Sequence, residues 1–296
     1  MSSGLRGLPA WTRPALAAAL LAAAVALPRI PLPRETVDTL VVFDITQSMD
    51  VEDMSVDGVP ASRLEYARAS ARRALRALPC GSRVGWGAFT EYRTLVLLAP
   101  IEVCANYGDL LATLDNVDGR IRWGDSSEIS KGVFWAMRAS HEMADHPALV
   151  FVTDGQEAPP LGEAAFPMFS DLKAGDVPGV LLGVGGPVPR PIPRTDPDGR
   201  RIGVWRAQDV VQTGGHSHEQ LSVLKETHLR ALGTQTGLAY LGADGDDAVL
   251  HALHATGSRE RRAVPTDLAA IPALAALALL LAATLSGRLR LRPRRA

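Results

Sequence analysis

The stretch Leu40-Val-Val-Phe-Asp-Ile-Thr-Gln-Ser48 constrains the fold more than any other. Leu40 to Phe43 are apolar without alternation, the pattern of a strand covered on both faces of a parallel sheet. A carboxylate, Asp44, ends the run, and hydroxyls follow at Thr46 and Ser48. Open α/β sheets place their ligands just beyond the carboxyl ends of strands. One carboxylate and two hydroxyls there supply part of an all-oxygen site for a hard cation. The same residue types also build plain turns and helix caps. The decision rests on the rest of the chain. A second apolar run, Ala148-Leu-Val-Phe-Val-Thr-Asp-Gly155, again ends in a carboxylate, Asp154, and a turn glycine. Between the two lies a polar loop, Trp123-Gly-Asp-Ser-Ser-Glu-Ile-Ser-Lys-Gly132, leading into a helical pattern.

The remaining elements alternate around these runs. Ser62 is a candidate cap for a helix over 63–78, with Leu64, Ala67, Ala71, Ala74, Leu75 and Leu78 on one face. An acidic loop carrying Asp50, Glu52, Asp53 and Asp57 precedes it and reads as solvated. Strands over 83–90 and 94–99, joined at Glu91-Tyr-Arg93, make a hairpin. Helices are expected over 106–114, 127–143, 221–235 and 246–254, and further strands over 179–185 and 238–241. This order predicts an α/β fold, a doubly wound, mainly parallel six-stranded sheet with one antiparallel edge. Gly183-Val-Gly-Gly186 is a poor dinucleotide fingerprint, because no third glycine opens a helix. The stretch 186–218, proline-rich and basic at its start, reads as a long loop or small hairpin inserted in the domain. Within it, His216 and His218 lack nearby Cys or carboxylate partners and read as solvated. The segment over 163–173 gives no clear pattern.

Net charge is −1, and no basic patch is interleaved with aromatics, which argues against nucleic-acid binding. The ends decide the compartment. Residues 14–28 carry no charge and follow Arg6 and Arg13, which fits either a cleaved signal peptide or a retained anchor. Twenty uncharged residues, Leu268 to Gly287, precede five arginines ending at Arg295, the pattern of a transmembrane helix with a cytoplasmic C-terminus. The expected organisation is an N-terminal segment 1–33, a main domain 34–262 in the periplasm, a membrane helix 263–287 in the bacterial inner membrane and a tail 288–296. The only two cysteines, Cys80 and Cys104, lie twelve residues either side of Tyr92 at the hairpin tip. Paired across the hairpin's open end in an oxidising compartment, they are expected to form a disulfide rather than two buried thiols.

Asp-x-Thr-x-Ser over 44–48, a hydroxyl in the middle loop and a strand ending Thr153-Asp-Gly155 resemble the metal-ion-dependent adhesion site of von Willebrand factor A (vWA) domains. The resemblance implies that Asp44, Thr46, Ser48, Ser127 and Asp154 hold one Mg2+ (or Mn2+ or Ca2+), the two Asp residues acting through water. A position is left for an acidic residue of a partner protein. Thr46 stands where Ser is usual and Ser127 where Thr is usual; either substitution keeps the oxygen. Ser127 is taken over Ser126 or Asp125 because Ser127-Glu-Ile-Ser-Lys-Gly132 matches the family's Thr-x-Ile-x-x-Gly.

A narrower likeness lies in Phe43-Asp-Ile-Thr-Gln-Ser-Met49, Leu78-Pro-Cys-Gly-Ser82, Pro100-Ile-Glu-Val-Cys104 and Thr153-Asp-Gly-Gln-Glu-Ala-Pro159. These resemble vWA proteins of bacterial methanol-dehydrogenase maturation. The implied partners are a MoxR-type AAA+ ATPase, other vWA proteins and a periplasmic quinone-dependent dehydrogenase that receives Ca2+. Bat-type aerotolerance proteins, with the same layout, are the alternative. The expected function is non-enzymatic partner binding by a membrane-anchored domain. A rival from another class is a phosphohydrolase of haloacid-dehalogenase type, with Asp44 as nucleophile beside Mg2+. That chemistry needs a second carboxylate two residues on as general acid, and the residue there is Thr46.

Overall fold

The computed structural model describes residues 11–160, 171–196, 198–212 and 218–290. The chain divides into two compact units, one of residues Glu35–Arg261 and a smaller one built from both ends of the chain.

The larger unit is a six-stranded sheet between two helical layers. Its elements in chain order are β1 (Asp38–Asp44), α1 (Arg63–Ala77), β2 (Arg83–Thr90), β3 (Arg93–Glu102), α2 (Tyr107–Asp115), α3 (Ile129–Glu142), β4 (Ala148–Thr153), β5 (Gly179–Gly183), α4 (Glu226–Thr236), β6 (Ala239–Gly242) and α5 (Ala248–Ala255). The sheet order is β6-β5-β4-β1-β2-β3, parallel throughout except for the β2–β3 hairpin at one edge. β1 lies at the centre, every one of its residues buried. Its side chains alternate between two cores. Val41 and Phe43 join Leu64, Ala67 and Ala71 of α1, Leu110 and Leu114 of α2, and Val249 and Leu253 of α5. Leu40 and Val42 face Ile129, Val133 and Met137 of α3 and Leu232 of α4. Full burial stabilises each such aliphatic side chain by about 1.5–3 kcal/mol. A strand apolar on both faces is therefore driven to the middle of the stack, and its carboxyl end is carried with it.

Local chemistry sets the element ends. Ser62 caps α1 in a reciprocal capping box, accepting from the Glu65 amide while the Glu65 carboxylate accepts from the Ser62 amide. Gly132 lets α3 approach the sheet, since a Cβ there would lie 2.1 Å from the Phe89 ring. The Cys80–Cys104 disulfide forms, with Cα atoms 5.2 Å apart. It closes the open end of the hairpin, as the cysteine spacing leads one to expect.

Several elements differ from the sequence reading. The helix expected over 221–235 begins only at Glu226. Leu221–Ser222 pairs instead with Arg190–Pro191 of the insertion. The acidic loop holds a short hairpin, Met54–Val56 with Val59–Ala61, turning on Asp57 and Gly58 with φ of 52° and 79°. Two successive positive φ values suit a tight hairpin turn and are what Asp-Gly supplies. β3 runs on to Glu102 because its pairing with β2 continues past a bulge near Trp86. Pro100 is accommodated there because β3 is an edge strand. The insertion is ordered around a hairpin, Pro193–Thr195 with Arg201–Val204.

In the smaller unit, helix Thr12–Ala26 packs against helix Ala270–Arg290, with Ala17 and Ala276 buried. The Pro28–Pro33 stretch, which reads as a spacer, runs into strand Ile30–Thr36, paired with Glu260–Thr266. The C-terminal apolar run is helical as expected. Among the described residues, however, no helix is long and apolar enough to cross a membrane. The helical part of the expected 263–287 span begins at Ala270, and its described side chains end at Thr284. The segment 161–170, His216 and the arginines beyond 290 lie outside the described residues.

Candidate metal centre

Three loops converge beyond the carboxyl ends of β1 and β4. The first follows β1 directly. Asp44 is fully buried; its Oδ1 accepts from the Thr46 amide at 2.9 Å and the Thr46 hydroxyl at 2.7 Å, and its Oδ2 accepts from Thr153 Oγ1 at 2.7 Å. Thr46 Oγ1 lies 3.3 Å from Ser48 Oγ. The second loop is pinned from both sides. The Ser127 amide donates to the Ala158 carbonyl and the Ala158 amide to the Ser127 carbonyl, each at 2.7 Å, while the Glu91 amide donates to the Ser126 carbonyl. Ser127 Oγ is buried and has no hydrogen-bond partner among the described residues. The third loop carries Asp154, whose Oδ1 accepts from the Gln156 amide.

Of the five residues expected to act together, Thr46, Ser48 and Ser127 line one cavity of about 350 Å3, and both Asp44 and Asp154 are buried just behind it. Asp125 and Ser126 line the same cavity, but Asp125 is exposed and accepts from Gln47 Nε2, whereas Ser127 is buried. The insertion walls the cavity through Ile192 and Trp205. Gln47 ties it there, its Oε1 accepting from Trp205 Nε1 at 2.8 Å and from the Thr195 amide. Arg122 adds bonds to the Ile45 carbonyl, Thr195 Oγ1 and Asp50.

The two carboxylates have different surroundings. Burial, followed by the negative charge of Asp154, pushes the Asp44 pKa up to about 7, against the pull of its hydroxyl and amide donors. Asp154 instead has a cation of its own. Arg63 Nη1 donates to Asp154 Oδ2 at 2.5 Å, and Ser222 Oγ donates to the same oxygen at 2.9 Å. Sequence reasoning misses Arg63, because an arginine opening a helix after an acidic loop ordinarily points to solvent. Thr153 and Ser222 are missed for a similar reason, since each serves the site only through a partner remote in sequence.

A hard cation fits this donor set. Three neutral oxygens face one cavity, and one of them, Ser127 Oγ, is a buried polar atom with no partner, an arrangement that costs free energy unless a ligand completes it. Asp44 supplies a carboxylate with no cation in contact. Among the described residues, Cys80, Glu102 and Cys104 also come together, but there the sulfurs are already bonded to each other.

No protein-family model matches the chain, and no curated protein matches it. Solved structures do. BatB, a conserved hypothetical protein from Bacteroides thetaiotaomicron, superposes with a TM-score of 0.51 at 18% identity, covering 74% of this chain and 98% of that one. The fold is vWA-like. An aerotolerance-related membrane protein from Bacteroides fragilis NCTC 9343 gives a TM-score of 0.50 at 18% identity, covering 74% of this chain and 96% of that chain. At such identity the likeness belongs to the architecture. The disulfide of the vWA-like domain fits an oxidising, extracytoplasmic compartment.

Proposed function

We propose that the chain is a non-enzymatic, membrane-anchored vWA-like module that grips a carboxylate of a partner protein through a divalent cation. Thr46, Ser48 and Ser127 would hold the ion, with Asp44 behind them. When bound, the ion supplies a Lewis-acidic position able to take an external carboxylate oxygen. The observation that carries this reading is Ser127 Oγ, buried without a partner among the described residues and beside two further hydroxyls in one cavity. This chain's own residues do the positioning. The Ser127–Ala158 bridge fixes the second loop against the third, and the Asp44–Thr46 pair orients the first.

The phosphohydrolase alternative gains nothing from the geometry. The position two residues after Asp44 carries a hydroxyl that donates to Asp44 and cannot serve as a general acid at neutral pH. For the biological setting, likeness to two Bacteroides structures, one aerotolerance-related and one BatB, supports the Bat-type alternative over methanol-dehydrogenase maturation with its MoxR-type ATPase. Anchoring by the uncharged Leu268–Gly287 run, with the domain in the periplasm, belongs to the same proposal.

A pull-down from membranes in millimolar Mg2+ and in EDTA, wild type against Asp44→Ala, tests the cation grip. The partner should be retained only by wild type with Mg2+; equal retention in EDTA would place the grip elsewhere. A reporter active only in the cytoplasm, fused after Ala296, should be active.

A further inference from the structure

Arg63 is the first residue of α1, a position whose side chain is usually solvated, yet it is fully buried. One edge of its guanidinium is held by Asp53, Nε to Oδ1 at 2.9 Å and Nη2 to Oδ2 at 2.7 Å. The other reaches the metal centre, where Nη1 donates to Asp154 Oδ2 and to Ser222 Oγ at 2.6 Å, and lies 3.4 Å from the Ser48 carbonyl. The socket is shaped for it. Gly185 has φ of 135°, and a Cβ there would lie 2.8 Å from Arg63 Nε. The next amide, Gly186, donates to Asp53 Oδ2 at 2.9 Å. The glycine run that fails as a dinucleotide loop thus passes the backbone tightly over a buried guanidinium.

We infer that Arg63 is a built-in counter-cation that neutralises Asp154 and so sets the affinity of the metal centre low. Low intrinsic affinity makes retention of the ion depend on the partner's carboxylate. The inference rests on the proposed cation site and follows from its charges. Asp44 and Asp154 would offer a dication two negative charges, enough to neutralise it. With a guanidinium bonded to Asp154, itself offset by Asp53 only at its far edge, the ion meets less negative charge than the two carboxylates alone would supply. That deficit weakens ion binding in the absence of a partner and leaves more of the ion's charge to attract an incoming carboxylate. Ion and acid therefore bind cooperatively, each raising the affinity for the other by the same factor. Arg63 acts as a positioning residue, through Asp154 rather than on the ion.

The test uses Mn2+ as probe and acetate in place of the partner's carboxylate, on the full chain in detergent. Arg63→Gln, which keeps amide donors but loses the charge, should bind Mn2+ about tenfold more tightly, the scale on which residues supporting metal ligands act. Arg63→Lys, which keeps the charge, should stay close to wild type. Acetate should tighten Mn2+ binding in wild type and do so less in Arg63→Gln. Looser or unchanged Mn2+ binding in Arg63→Gln, with wild type binding and Asp44→Ala not binding, overturns the role of Arg63 and leaves the cation site standing. Failure of every chain to bind Mn2+ overturns both. Should Arg63→Gln not fold, Asp53→Asn serves instead: freeing Arg63 to act on Asp154 alone should loosen Mn2+ binding, and unchanged affinity would overturn the inference.

Discussion

Asp44 and Asp154 occupy equivalent places, each closing a fully buried parallel strand beside the other, yet they live in opposite electrostatic surroundings. Asp44 is met by two hydroxyls and an amide, and its pKa rises to about 7. Asp154 is met by the Arg63 guanidinium, Ser222 Oγ and an amide. The same local pattern, an apolar run ending in Asp, thus yields one carboxylate met only by neutral donors and one met by a cation. The difference comes entirely from what lies opposite. Thr153 reaches Asp44 across the β1–β4 pair, while α1 and the 221–222 strand deliver Arg63 and Ser222 to Asp154.

Substitution of the two carboxylates breaks this comparison most directly. Asp154→Ala should cost about 1.5–3 kcal/mol in urea unfolding, because it removes the charged acceptor of Arg63 Nη1 while Asp53 still holds the other edge of the guanidinium. Asp44→Ala in EDTA should cost less, since the loss of its three hydrogen bonds is offset by removal of a buried carboxylate that has no cation in contact. Equal costs at the two positions would show that Arg63 does not distinguish them. Opening the Cys80–Cys104 bridge provides a reference far from this chemistry. The double serine variant should lose about 3 kcal/mol by the loop-entropy relation for a loop of this size, with Mn2+ affinity unchanged by calorimetry.

The pH dependence sharpens the comparison further. Asp44 has its folded-state pKa raised from 3.8 to about 7, so between those values the folded chain binds a proton that the unfolded chain has lost. Its contribution to stability is therefore greatest below about pH 4, falls as pH rises towards 7, and levels off above that. In EDTA, unfolding free energy should drop across this window by at most about 1.4 kcal/mol per pH unit. Asp44→Asn should flatten the slope, and an unchanged slope in that variant would assign the dependence to other groups. The smallest expected effect is that of Thr46→Ser. It keeps the hydroxyl facing Asp44 and should leave Mn2+ affinity within about twofold, given that the donor type is unchanged. A tenfold loss would mean that the threonine methyl group holds the loop.

Much of this molecule follows from pattern alone. Strands without alternation, a helix with a clear cap and one apolar face, and a hairpin flanked by the two cysteines specify a doubly wound sheet with an antiparallel edge. These are short-range signals, set by period, capping and chain reach. They also bring Asp44, Thr46, Ser48, Ser127 and Asp154 to one end of the sheet, because strands that pair in parallel must deliver their carboxyl ends together. The tertiary structure alone decided what each carboxylate would meet. Arg63 is remote in sequence from Asp154, and Ser222 lies in a segment whose sequence favours helix but which pairs with Arg190–Pro191 instead. Electrostatics in a buried site depend on distance and desolvation rather than on order along the chain, so no local pattern records them. The same holds for Gln47 and Trp205, where one amide side chain pins the insertion beside the loop that follows β1. The sequence determined where the oxygens gather, and only the packed fold decided how much charge they keep.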